Sequence, residues 1–269
     1  TPAQLQMLAD GLYGDTKPAR RDLGLAPRPF TAESVRAIEG AIGPLFGTSL
    51  RLADRRGHAD WLARYRPSFI PALALALVGL LVHGTVALAV ANVWNRMAVG
   101  GLVLAAFALA GVRLDWRALY RPAWRHVAQG GAAAVALYVA GRGAAHFMLA
   151  WPAVAAQIRE VYGWKPVVPG ALTVPLLFGI VLGEEIVWRN AVTLPLAARL
   201  GPWRGAVAGA ALFSIAHLPL DVPLLLLAAV GAGTFWSALV LKTRSAVPAL
   251  VSHFLWDCAV LFWFPYVRS

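Results

Sequence analysis

The stretch 180-IVLGEEIVWRNAV-192 decides how this chain is read. It sets Gly183, Glu184, Glu185 and Arg189 inside an apolar run long enough to cross a membrane. A carboxylate at the centre of a membrane helix costs about 2.5–3.5 kcal/mol even on a lenient insertion scale. Two side by side, with an arginine one turn on, need a partner or a task. Glu185 and Arg189 are four apart, so on a helix they share a face and can pair. Glu184 points about 100° away from Glu185 and is left free to look elsewhere.

Working outward, the whole 269-residue chain has the composition of an integral membrane protein. It is 59% hydrophobic and 14% charged, against about 25% charged in soluble domains, and its mean hydropathy is +0.64. Apolar runs of roughly 17–25 residues recur. They place spans near 68–92, 97–112, 127–150, 169–198, 203–218, 222–241 and 246–266. The segment 154–166 reads as a helix that lies on the surface or dips back into the protein, and an eighth span arises if it pairs with another segment. The expected fold is therefore all-α and polytopic, with about seven transmembrane helices behind a polar N-terminal segment. The expected division is an N-terminal cytoplasmic or interfacial segment (1–66), N-terminal membrane helices (67–168) and a C-terminal helical core (169–267). Short amphipathic helices are expected near Ala3–Leu12 and Ala32–Ile42, and Trp61 and Tyr65 at headgroup level.

The net charge of +11 does not point to nucleic acid, because most basic residues lie between apolar runs. With the N-terminus cytoplasmic, inside loops hold Arg113, Arg117, Arg121, Arg125, Arg199, Arg204, Lys242 and Arg244, while outside loops hold Arg96, Arg159, Lys165 and Arg268. That asymmetry follows the positive-inside rule. The Ala- and Arg-rich composition suggests a bacterial inner membrane. The single Cys258 excludes an intrachain disulfide.

Ionisable groups recur deep in other spans: Arg142 and His146 in the third, His217 in the fifth, His253 and Asp257 in the seventh. At 1.5 Å per residue, Glu184 and His217 both lie roughly 20 Å from the cytoplasmic side and His253 roughly 12 Å. Gly205 and Gly209 share a stripe with Phe213 and His217. Gly179 and Gly183 make a second stripe beside Glu184, and packing of the two would bring Glu184 to His217. A carboxylate and an imidazole can hold and deprotonate a water, and a second histidine can hold a developing oxyanion. Zinc is the alternative, with Glu184, His217 and His253 as ligands. Arg142 and His146 are expected to satisfy each other or a backbone carbonyl, and His83 to serve a helix contact. Ser214 and Ser252 lack a nucleophile elbow, and no HExxH is present.

Three motifs, "EEIVWR" (184–189), "FSIAH" (213–217) and "HFLWD" (253–257), resemble in order and placement the CPBP family. These are CAAX-prenyl-protease-like and bacteriocin-processing intramembrane proteases, also called the abortive-infection (Abi) family. The resemblance covers about residues 169–260. It implies an intramembrane endopeptidase acting on a membrane-associated protein or peptide, without a cofactor. Glu184 and His217 would activate water, His253 and Asp257 would stabilise the oxyanion, and Glu185 and Arg189 would support the site. Two positions depart from the family pattern: Asn190 stands where glycine is common, and Asp257 where asparagine is commoner. An ionised aspartate cannot donate to an oxyanion, so Asp257 is either protonated or orients His253. A non-catalytic immunity or scaffold protein and a proton-coupled transporter are the competing readings.

Overall fold

The computed structural model describes residues 52–164 and 166–267. The helices expected near Ala3–Leu12 and Ala32–Ile42 lie outside the described residues. The chain divides into two compact units, Thr1–Gly57 and His58–Ser269, and every residue of the three motifs belongs to the second. Among the described residues the architecture is all-α. Helix α1 (Leu52–Ala63) leads through a short 3-10 turn into α2 (Phe69–Ala89). Then come α3 (Val93–Gly111), the short α4 (Trp116–Leu119), α5 (Trp124–Met148) and α6 (Pro152–Gly163). Helix α7 (Gly170–Glu184) continues through a π-helical segment (Glu185–Val192) into α8 (Thr193–Leu200). Helices α9 (Pro202–Ala216), α10 (Pro223–Thr243) and α11 (Val247–Cys258) complete the order, α11 running on into a π-helical turn at Ala259–Trp263.

Helices occupy all seven ranges expected for spans, and α6 sits where a surface helix was expected. By length and composition alone, four stretches can cross a bilayer: Gly57–Leu88, Val93–Gly111, Gly170–Leu200 and Pro223–Thr243. Val247–Trp263 is apolar but shorter. The 15 residues of α9 reach only about 22 Å, short of a hydrocarbon core of about 30 Å. Helix α5 is long enough at 25 residues, but its glycines, arginines and histidines dilute its apolar character. The chain is an integral membrane protein whose middle helices are unequal in reach.

Local sequence sets the breaks. Gly201 alone joins α8 to α9, with φ 93°, a conformation glycine adopts without steric cost. Pro202 then starts α9 at a position where its missing N–H costs nothing. Asn92 caps α3 by accepting from Asn95 N at 3.2 Å.

The α7–π–α8 rod is the centre of the molecule. Every residue from Gly183 to Ala198 is buried. A helix shielded on all sides is screened from lipid, which is how Glu184, Glu185, Arg189, Asn190 and Thr193 are accommodated within an apolar span. Trp188 anchors the main core with Leu104, Val192 and Phe213. Trp188 and Trp236 are each 1% exposed, so these two tryptophans belong to the interior and not to an aromatic belt. Tyr65 is likewise buried, in a second cluster with Leu119 and Trp236, and meets Trp61 edge-on at 5.2 Å. Its ring packs against protein neighbours rather than standing free on the surface.

The glycine stripes pack differently from expectation. A Cβ at Gly183 would lie 2.9 Å from the carbonyl carbon of Gly101 on α3. Gly205 and Gly209 press on Ala197 and Thr193 of α8. Among the described residues nothing lies within 4 Å of a Cβ placed at Gly179. The two stripes therefore do not meet. Each serves another neighbour, because the one-residue turn at Gly201 already folds α9 back onto α8.

Candidate active site

Glu184 ends α7 and Glu185 opens the π segment, so both carboxylates sit where the helical repeat widens. Two side chains reinforce that widening by reaching back five residues. Asn190 Nδ2 donates to Glu185 O at 2.7 Å, and Thr193 Oγ1 donates to Trp188 O at 2.7 Å. Pro195, just beyond the π segment, has no N–H for the ladder. Such wide turns occur mostly inside helices and often at functional sites. Asn190 also donates to Tyr120 Oη at 3.0 Å, tying the segment to the residue after α4.

Three elements converge here. His217 caps the end of α9, where the chain turns into the 3-10 segment Leu218–Leu220. Its Nδ1 lies 2.8 Å from Phe213 O. A carbonyl only accepts, so Nδ1 carries the proton and Nε2 presents a lone pair. That Nε2 faces Glu184 Oε1 at 3.9 Å. A water about 2.8 Å from each fits between them. On the opposite side, Glu184 Oε2 is 3.6 Å from His253 Nε2. Glu184, His217 and His253 are each buried.

His253 is held more closely than the sequence indicated. Its Nδ1 donates to Glu185 Oε1 at 2.9 Å, while Asp257 Oδ2 stands 3.6 Å from Nε2. Glu185, not Asp257, is thus the hydrogen-bonded partner of this ring. Because i,i+4 spacing already offered Glu185 a partner in Arg189, no sequence signal pointed across to α11. The ring is also stacked on Trp236 of α10, with centroids 3.7 Å apart and planes at 22°.

Arg189 does pair with Glu185, Nε to Oε1 at 3.2 Å, but outside hydrogen-bonding geometry. Among the described residues none of its guanidinium nitrogens has a hydrogen-bond acceptor. Two aromatic faces bracket the cation instead, Phe213 at 3.9 Å and Trp236 at 5.2 Å. Attraction between a desolvated cation and an aromatic face is worth about 2 kcal/mol. Of the other ionisable residues within the expected spans, His83 is near enough to His217 to act on it electrostatically, whereas Arg142 and His146 pack elsewhere. His83 is buried and stacks on Trp188 at 6.4 Å. Arg142 is exposed and donates to Pro265 O and Tyr266 O at 3.1 and 3.2 Å, the backbone alternative anticipated for it. His146 meets the Phe147 ring edge-on at 5.5 Å.

A cavity of about 560 Å³ opens onto Glu184, His217, His253 and Asp257. Apolar side chains from α3, α5, α6 and α10 supply most of its wall, among them Trp94, Met148, Ile158 and Leu227. Its size falls within the range of small-molecule and cofactor sites, about 300–1,000 Å³. Among the described residues no group of three or more His, Cys, Asp or Glu is arranged to hold a metal ion.

Fold and site together define a polytopic helical membrane protein with a buried Glu/His cluster opening on an apolar cavity. Residues 164–259 match the family described as type II CAAX prenyl endopeptidase Rce1-like, and that match supports the CPBP resemblance over this part of the chain. The matched segment carries all six site residues, from Glu184 to Asp257. No curated protein and no solved structure matches the chain.

Proposed function

We propose that the protein is an intramembrane endopeptidase that hydrolyses a peptide bond of a membrane-associated protein or peptide. The observation that carries this reading is the placement of one carboxylate, Glu184, between two imidazole nitrogens at 3.9 and 3.6 Å, at the polar end of an apolar cavity. A substrate presents its apolar part to that cavity and its scissile carbonyl to Glu184. Water held between Glu184 and His217 Nε2 gives a proton to the carboxylate as its oxygen attacks the carbonyl carbon. The tetrahedral oxyanion accepts from His253 Nε2–H. Nδ1 already donates to Glu185, so this requires the imidazolium form of the ring. When the C–N bond breaks, the protonated Glu184 passes its proton to the leaving nitrogen. The products are one carboxylic acid and one amine, and no covalent enzyme intermediate forms.

In this reading Glu185 positions His253, and Arg189 offsets the charge of Glu185. As a carboxylate facing Nε2, Asp257 keeps that N–H aimed into the cavity, which fits its aspartate identity better than donation to the oxyanion. The mechanism uses no metal. The N-terminus is proposed to face the cytoplasm of a bacterial inner membrane. A prenylated C-terminal peptide, a leader peptide and a C-terminal sorting tail are the substrate types to screen.

The test is turnover in detergent with membrane peptides of these three types, run in ¹⁸O-labelled water. One ¹⁸O in the new carboxylate, with activity unchanged after exhaustive chelation, is the expected result. Activity lost to chelator and restored by zinc, near one zinc per chain, would make Glu184, His217 and His253 ligands instead. A scaffold protein or a proton-coupled transporter gives no cleavage at all.

A further inference from the structure

None of the three motifs reaches α10, yet α10 supplies the side chain most intimately stacked on the site. Trp236 lies face to face with His253, centroids 3.7 Å apart, close to the separation of two π faces in contact. The indole is itself fixed. It is 1% exposed, and its N–H donates to Ser252 Oγ at 3.3 Å, on the residue beside His253. Its ring also stands 5.2 Å from the Arg189 guanidinium. One side chain thus touches the ring facing the reacting centre and the cation beside Glu185. An imidazole hydrogen-bonded only through Nδ1 can still pivot about that bond. A rigid face 3.7 Å away removes the pivot and leaves Nε2 directed at Glu184 and Asp257.

We propose that Trp236 is a positioning residue for His253: its indole face fixes the imidazole plane and meets the positive charge the ring carries when both nitrogens donate. This rests on the peptidase reading above and adds to it a residue from a helix without a motif. The face, rather than the indole nitrogen, does the positioning, since the N–H is spent on Ser252. Trp236 also borders the cavity, so a plain substrate contact is the competing role, and the kinetic constants separate the two.

The experiment compares Trp236→Phe, which keeps an aromatic face, with Trp236→Met, which fills the core without one. Both are purified in detergent and assayed on whichever membrane peptide the wild type cleaves. Expected are a kcat for Trp236→Met lower by about 10-fold or more with KM within about threefold, and a kcat for Trp236→Phe within about threefold of wild type. A raised KM with unchanged kcat in Trp236→Met would make the residue a substrate contact and overturn the inference. Equal loss in both variants would overturn it too, because only packing is then at stake. If Trp236→Met does not give monodisperse protein, Ser252→Ala decides. That change frees the indole without emptying the core, and is expected to lower kcat about 2- to 5-fold at constant KM; an unchanged kcat counts against the proposal. A wild type inactive on every peptide removes the peptidase reading, whereas an active wild type with a fully active Trp236→Met removes only this inference.

Discussion

Two helices of this protein carry ionisable residues four apart within apolar runs, and they do opposite things with them. On the central rod, Glu185 and Arg189 are fully buried and share their surroundings with His253, Phe213 and Trp236. On α5, Arg142 and His146 are exposed. There Arg142 turns to the carbonyls of Pro265 and Tyr266, while His146 rests on its neighbour Phe147. Spacing puts two side chains on one face in both cases. What differs is whether other helices bring partners to that face. The central rod is enclosed and α5 is not, so only the first pair becomes part of a polar network.

The largest effect that tests this contrast comes from Glu184. Changing Glu184→Gln keeps size and shape and removes the basicity, so turnover should fall by at least about 10²-fold. The fold should survive, since a neutral amide costs less to bury than a carboxylate. Cleavage rates measured beside a detergent melting curve check both halves. Wild-type turnover in this variant would leave the buried cluster with a structural role only, and the two regions would differ in burial but not in purpose.

Arg189→Ala comes next. Removing one partner of a buried pair typically costs about 3–5 kcal/mol, because the other charge is left uncompensated. Here Glu185 keeps its hydrogen bond to His253 at 2.9 Å, which places the expected loss near the lower figure, about 3 kcal/mol. The melting temperature should drop and turnover with it. If turnover vanishes while the melting curve is unmoved, Arg189 serves the substrate and not Glu185.

The two pairs differ in how much of their setting the sequence could disclose. The order Glu184, His217, His253 was legible because three short motifs fall on late apolar runs and the helical rise sets their depths. In the structure the three side chains lie 3.6–3.9 Å apart around Glu184. The membrane character was legible from composition, and the all-α class from apolar runs of spanning length. The link from Glu185 to His253 was not, since it joins residues 68 apart while a nearer partner satisfied the local pattern. The π segment was hidden because Asn190 and Thr193 sustain it through side-chain bonds to carbonyls five back, and helical spacing rules assume the narrower turn. Trp236 was hidden for a third reason: on an apolar helix an aromatic residue reads as core, and only the tertiary fold shows which ring it covers. The glycine stripes misled because close approach was legible but the neighbour was not.

The smallest effect should come from the exposed side of the comparison. Arg142 holds the segment after α11 through two hydrogen bonds to backbone carbonyls. That segment has other ties. Tyr138 Oη donates to Phe264 O at 3.0 Å, and Tyr266 N donates to Tyr162 Oη at 2.9 Å. Loss of Arg142 leaves both in place. Exposed hydrogen bonds of this kind contribute about 1 kcal/mol or less in net terms. Arg142→Ala should therefore melt within a few degrees of wild type, and its turnover should stay within about twofold, since no named catalytic contact passes through it. A loss approaching that of Arg189→Ala would erase the distinction between the two pairs. Arg142 would then have to be holding the cavity wall, where Tyr266 lies beside Gly141, in the shape that turnover needs.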